Sequence, residues 1–260
     1  MPYATAADGV RLYYEAAGRR RGGDPALIFV HGWCCNMEHW APVADAFQVT
    51  HRVVRLDLRG HGKSDAPLKG YSNARFVGDV AAVARAARVT DAVVIGHSMG
   101  ARVALQTAKQ HRDLVRAFVM ADVSVGGYVP LAQLEAHPDF RLVADRGPEG
   151  AEVLYRRFFN PPNSAFADRV IAEAMRTPLH VVIEARRALI TTNSAAIARG
   201  VRQPVLFINA SFGNTRTADE IHAILPQAEF AQVAMSGHFV QLEVPDQVEA
   251  MIRRFLASLR

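Results

Sequence analysis

Six short runs of almost unbroken apolar residues punctuate the chain, and they limit what it can fold into more than any other feature. They are ALIFVH (26–31), RVVRLD (52–57), AVVIGH (92–97), AFVMAD (117–122), PVLFINA (204–210) and EFAQVAM (229–235). A strand with one wet face alternates apolar and polar residues; a strand covered on both faces has no polar side to show. Helical patterns fill most of the intervals. HWAPVADAF is a short one, Ser72 is placed to cap NARFVGDVAAVARAA, and ARVALQTAKQ is a third. After Pro245, Asp246 is placed to cap QVEAMIRRFLASL. Strand–helix alternation of this kind predicts an α/β fold with a mostly parallel, doubly wound sheet. Ahead of it, YATAAD, Gly9 and VRLYYEAAG read as a β-hairpin.

One interval breaks the rhythm. Between AFVMAD and PVLFINA the chain carries helical patterns without a clear strand, far beyond an ordinary α/β connection. Large apolar residues crowd it, among them Tyr128, Phe140, Tyr155, Phe158, Phe159 and Phe166, around a turn at Asn160-Pro161-Pro162-Asn163. The expected division is a core made of 1–124 and 201–260, with a helical cap inserted over 125–200 above the C-terminal edge of the sheet.

Composition closes off other classes. No apolar stretch approaches the roughly 18 residues a membrane span needs, and the first ten residues, MPYATAADGV, lack the charged and apolar regions of a secretory leader. Cys34 and Cys35 are adjacent, so a bond between them would close almost no loop, and free thiols in a reducing cytoplasm are expected. The net charge is +5, but the basic residues are scattered and nearly all arginine. Their one run, Arg19-Arg20-Arg21, has no aromatic interleaving, which reads as solvated surface rather than a nucleic-acid or membrane footprint. Gly-Lys-Ser at 62–64 mimics part of a phosphate-binding loop, but the glycine that loop requires five residues earlier is Asp57. Asp57 and Arg59 are expected to order a tight turn instead.

The chemistry concentrates in three places. Gly96-His97-Ser98-Met99-Gly100 matches G-x-S-x-G with an apolar strand before it and a helix after it, the context in which such a turn lifts a serine hydroxyl above a sheet. His31-Gly32-Trp33 closes the first apolar run, where the Trp33 N–H can sit beside that of Met99 as a second donor to an oxyanion. His238, in MSGHFVQLEVPDQ after the last strand, falls at the same sheet edge and can serve Ser98 as general base. Its place in chain order sets it apart from His51, His61, His111, His137, His180 and His222, which read as surface or structural.

With HGW at 31–33, LDLRGHGKSD at 56–65, GHSMG at 96–100 and SGHFVQLEVP at 236–245, the chain resembles the α/β-hydrolase family over essentially its whole length. The resemblance implies catalytic Ser98 and His238, with Trp33 and Met99 as oxyanion donors. The acid departs from the pattern common in that family. Beyond PVLFINA, where a carboxylate is usual, the chain has Gly213 and Asn214. Asp219 and Glu220 follow, but Thr217-Ala218-Asp219-Glu220 reads as a capping box. Asp122, at the end of AFVMAD, is the favoured orienting acid, and some members of the family place theirs at this strand.

The expected activity is a serine hydrolase that needs no cofactor or metal and cleaves a small ester or lactone with an apolar or aromatic body. Tyr128, Phe158, Phe159 and Phe239 are the expected substrate contacts. The alternative is cofactor-independent oxygenase or lyase chemistry, because HGWC and Asp122 also resemble the dioxygenases that cleave 3-hydroxy-4-oxoquinolines. There the His238–Asp122 pair would deprotonate a bound substrate. A receptor that binds without turnover is a third reading, although nothing in the sequence disables Ser98 or His238. Neither a nucleic-acid nor a membrane partner is expected.

Overall fold

The computed structural model describes residues 3–19, 22–125, 128–213 and 216–259. Arg20 and Arg21 of the basic run, and Asn214, lie outside the described residues. Eight strands form one sheet: β1 (Tyr3–Thr5), β2 (Arg11–Ala17), β3 (Ala26–Val30), β4 (Val53–Leu56), β5 (Ala92–His97), β6 (Val115–Ala121), β7 (Val205–Asn209) and β8 (Ala228–Gln232). Their order is β1-β2-β4-β3-β5-β6-β7-β8. The six apolar runs all pair in parallel, and only the opening hairpin is antiparallel, β2 joining the sheet along β4.

The unbroken hydrophobicity of the runs is explained by where their side chains go. In β3, Ala26, Ile28 and Val30 enter one core cluster, while Leu27 and Phe29 enter the other. β6 divides likewise, Phe118 and Met120 to one side and Ala117, Val119 and Ala121 to the other. Helices α2 (Asn73–Ala86) and α3 (Met99–Gln110) cover the first face; α1 (Ala41–Ala44) and the C-terminal helix cover the second, through Trp40, Val43, Val248, Ile252 and Phe255. At the start of α2 the Ser72 side chain accepts the Arg75 N–H, as expected of a cap.

Between β6 and β7 the described chain is helical, with a 3₁₀ turn at Leu131–Ala136 followed by α4 (Pro138–Arg156), α5 (Ala165–Ala174), α6 (Leu179–Thr191) and α7 (Ser194–Ala198). α4 bends at Gly147, ahead of Pro148. α6 is tied to the rest of the core by specific bonds: Trp33 Nε1–H, from the loop after β3, donates to the Val182 carbonyl at 3.0 Å, and Arg102, on α3, donates to the Leu189 carbonyl at 2.7 Å. After β7 come α8 (Ala218–His222), α9 (Val240–Glu243) and α10 (Pro245–Ser258). Asp246 does not cap α10 as its place in the sequence suggests. Pro245 already occupies the first helical position, because its missing N–H costs nothing there, and Asp246 falls inside the first turn. Among the described residues, no helix is long and apolar enough to cross a membrane.

Candidate active site

β5 ends at His97 and α3 starts at Met99, so Ser98 alone makes the turn from strand to helix. It does so at φ 52° and ψ −115°, a conformation that non-glycine residues adopt only under strain. The Ser98 N–H donates to the Ala121 carbonyl on β6 at 2.9 Å, which holds the turn against the sheet. The flanking glycines are steric necessities. A Cβ on Gly96 would collide with the Gly100 carbonyl, and one on Gly100 with the Val30 carbonyl.

The HGW loop lies directly against this turn. A Cβ on Gly32 would come within 3.0 Å of His97 Nδ1 and 3.3 Å of Ser98 Cβ. Trp33 follows with its ring buried. Among the described residues neither the Trp33 nor the Met99 N–H donates to a protein acceptor, leaving both free for a ligand oxygen. Cys34 and Cys35 are buried free thiols behind the loop. Burial pushes the Cys35 thiol up to about 12 and the Cys34 thiol well above its ordinary value, so neither is a ready nucleophile.

His238 occupies the loop between β8 and α9, and two backbone contacts clamp it. Its N–H donates to the Phe158 carbonyl at 3.3 Å, and its carbonyl accepts His97 Nε2–H at 2.8 Å. Its Nδ1 lies 2.6 Å from Asp122 Oδ2. A carboxylate only accepts, so Nδ1 is the donor and the neutral ring keeps Nε2 unprotonated. Asp122 sits just beyond β6 at φ 41°. Its N–H donates to the Ile208 carbonyl at 2.8 Å, and its second oxygen, Oδ1, accepts the Ala210 N–H at 3.1 Å. Both contacts reach across to β7, so the end of that strand aims the carboxylate. Asp219 and Glu220 are elsewhere, in the exposed first turn of α8. There the Thr217 N–H meets Glu220 Oε2 at 2.8 Å, and the Glu220 N–H meets Thr217 Oγ1 at 3.2 Å.

Ser98 and His238 line a common cavity of about 780 Å³ beneath the helical insertion. Tyr128 and Phe158 also line it, and the Phe158 ring stands 4.8 Å from that of His238. Phe239 is buried and edges only a narrow cleft beside Ser98 and Trp33. Phe159 reaches neither space. Its ring stacks on Phe239 at 4.9 Å and meets Phe166 edge-on, which spends it on the seam between insertion and sheet. Four arginines that no sequence motif singles out, Arg102, Arg157, Arg186 and Arg216, line the cavity, and so does His137. Only Arg102 has a local signal: it lies one helical turn after Ser98, and hence on the same face of α3.

The turn at RGHGKSD is not a phosphate-binding loop. The two Asp57 oxygens accept the Met37 and Lys63 N–H groups, each at 2.8 Å, and Arg59 pairs with Asp79 at 2.6 Å and with Asp8 at 2.7 Å.

Comparison with known proteins places the chain in a family. A model of the alpha/beta hydrolase family matches residues 27–251. The 2-(acetamidomethylene)succinate hydrolase of Mesorhizobium japonicum is 32% identical, over 92% of this chain and 90% of its own. A hydrolase from Pseudomonas aeruginosa PA01 superposes with a TM-score of 0.84 at 24% identity, over 98% of this chain and 97% of its own. The enol-lactonase of Burkholderia xenovorans LB400 superposes at 0.82 with 22% identity, over 98% of this chain and 100% of its own. The chain is an α/β-hydrolase enzyme, a member of the alpha/beta hydrolase family.

Proposed function

We propose that this hydrolase cleaves an ester or lactone through an acyl-enzyme on Ser98. The observation that carries this reading is the 2.6 Å contact between His238 Nδ1 and Asp122, on an imidazole that shares its cavity with a serine held at a strained strand–helix turn. In the first half-reaction Ser98 Oγ attacks the substrate carbonyl while His238 Nε2 takes its proton. The tetrahedral oxyanion is met by the Trp33 and Met99 N–H groups, the latter at the positive end of α3. The imidazolium formed in that step is stabilised by Asp122. It then protonates the leaving alcohol, or the ring oxygen of a lactone that stays attached, and water repeats the sequence to free the acid. The relative from Mesorhizobium, named for a hydrolysis, supports the hydrolytic direction. Tyr128 and Phe158 give the substrate body an aromatic wall, and no cofactor enters the scheme.

Labelling with a fluorophosphonate, followed by peptide mapping, tests the assignment. The adduct is expected on Ser98, and Ser98→Ala should lower kcat on 4-nitrophenyl acetate by on the order of 10³-fold or more, because the three groups act as a unit. Unlabelled Ser98 together with near-wild-type turnover by the variant would remove the acyl-enzyme. Turnover that depends on dissolved oxygen would point to the dioxygenase chemistry instead.

A further inference from the structure

The cavity above Ser98 is far more cationic than an ester alone requires. Its lining includes the guanidinium groups of Arg102, Arg157, Arg186 and Arg216, against the carboxylates of Asp122 and Asp139. Asp122 is engaged by His238 and the Ala210 N–H. Asp139 is shared, one oxygen 3.3 Å from Arg157 Nη1 and the other 2.9 Å from Arg186 Nη2. Arg216 has Glu220 at 3.5 Å on its outer side.

Arg102 has no carboxylate among the described residues, although it is only 8% exposed. Its guanidinium donates to three backbone carbonyls: Leu189 at 2.7 Å, Thr192 at 3.1 Å and Ser124 at 2.9 Å. A guanidinium has five N–H groups, so two are left over, and the buried Nε–H is one that finds no acceptor. The carbonyls at the end of α6 lend partial negative charge but no counter-ion. Arg216 converges on the same place, donating from Nη2 to Ser124 Oγ at 2.8 Å, and its Nε is likewise without an acceptor. Two guanidiniums therefore meet at Ser124, two residues beyond Asp122, and burial with the nearby charge of Arg186 pulls Arg102 down to about 10. A buried guanidinium such as Arg102, with no carboxylate of its own and a second guanidinium at the same Ser124, destabilises a protein unless an anion joins it.

We propose that the substrate is itself an acid, an ester or lactone bearing a free carboxylate that Arg102 and Arg216 receive while its reactive carbonyl lies at Ser98. This rests on the hydrolase reading of the same cavity. Four guanidiniums line the cavity against two carboxylates, Asp122 and Asp139, with Glu220 reaching only the outer side of Arg216, so the lining keeps an excess of positive charge for an anionic substrate to meet. A planar carboxylate also matches the paired N–H groups of a guanidinium edge. The apolar remainder of the lining, including Leu154, Leu189 and Ile190, then takes the carbon skeleton.

Two chromogenic esters of equal chain length separate the outcomes: 4-nitrophenyl hydrogen glutarate, which ends in a carboxylate, and 4-nitrophenyl valerate, which ends in a methyl. The wild-type ratio of kcat/KM should favour the glutarate ester at least tenfold. Arg216→Gln should cut that ratio at least tenfold, mainly through KM for the acid, while Arg85→Gln on the outer face of α2 leaves it unchanged. Arg102→Lys keeps a charge and is expected to retain part of the preference; Arg102→Gln should lose it but also loosens the end of α6, so Arg216→Gln is the first variant. A preference for valerate, or a ratio indifferent to Arg216→Gln, overturns the proposal. Calorimetric titration of Ser98→Ala with monomethyl and dimethyl glutarate tests the site without relying on turnover. Tighter binding of the monoacid by tenfold or more, lost when Arg216→Gln is added, supports the carboxylate site even if Ser98 is not the nucleophile. Equal binding, or none, overturns it even if Ser98 is.

Discussion

Asp122 carries two burdens at once: a left-handed backbone at φ 41° and a carboxylate whose two oxygens each hold one donor, His238 on one side and the Ala210 N–H on the other. The backbone contact fixes where the carboxylate points, and the carboxylate fixes which ring nitrogen of His238 keeps its proton. Asp122→Asn preserves the shape but offers an amide that can present N–H to the imidazole and favour the wrong tautomer. In the serine proteases this exchange lowers kcat by about 10⁴-fold, and a loss of several orders of magnitude is expected here. Asp219→Asn and Glu220→Gln act on the cap of α8 and should change activity little. Comparing kcat for the three variants on one ester decides the matter, and an active Asp122→Asn would shift the orienting role elsewhere. The pairing of Asp122 with His238 was legible in the sequence because the usual position offers Gly213 and Asn214, whereas the four arginines of the cavity were not. Arg157 and Arg186 share Asp139 from a distant part of the chain, and Arg102 and Arg216 come together through Ser124, which neither adjoins in sequence. Local pattern cannot reveal a pairing that only the fold creates.

At the scale of elements, the strands announced themselves because burial on both faces leaves a continuous apolar record, and the elbow because its glycines are sterically required at the β5–α3 junction. The inserted helices were recognisable as helices, but the roles of their aromatics were not. Phe158 and Phe159 are neighbours with equal chemistry, and the end of α4 turns one toward the cavity and the other into the seam with Phe239. Their truncations should therefore diverge. Phe158→Ala removes a wall beside His238 and should alter chain-length preference across a series of 4-nitrophenyl esters, with small effect on thermal stability. Phe159→Ala opens a void in a packed seam and should cost about 3–5 kcal/mol of stability, with chain-length preference kept among the molecules still folded. Denaturation midpoints and relative kcat/KM values across the series check both. Identical profiles for the two variants would mean that the insertion responds as one unit and that lining the cavity confers no special role on Phe158.

On the scale of the whole molecule, the sheet edge beside the candidate site carries His31, His39, His61 and His97, imidazoles whose charged form burial disfavours. His31 donates from Nδ1 to the Gly32 carbonyl at 2.8 Å and accepts the Leu58 N–H on Nε2 at 3.0 Å, so its second proton has nowhere to go. His61, with its ring centroid 5.0 Å from that of His31, donates from Nδ1 to the Arg59 carbonyl at 2.9 Å. Burial, with repulsion from His39 on His31 and from His31 on His61, pulls each down to about 3. Burial also lowers His39 and His97. The unfolded chain titrates these rings near 6.5, so it binds more protons than the folded protein below that pH. The stability tied to neutral His31 and His61 is therefore complete above about pH 6.5 and is drained as the pH falls toward 3. The buried carboxyls of Asp57 and Asp79, which are raised, oppose this at the acid end. The slope of each imidazole rises from half of about 1.4 kcal/mol per pH unit at pH 6.5 to nearly the full value at pH 5, so the two together should cost about 3 kcal/mol over that range. For a chain of this size that is a fall in Tm on the order of 10 °C. His61→Asn keeps a donor for the Arg59 carbonyl but cannot titrate in this range. Whatever its stability at pH 7.5, its urea-derived stability should fall less steeply with acidification, by about one proton's worth of slope. A slope equal to the wild-type value between pH 6.5 and 5 would show that His61 is not held neutral by the fold.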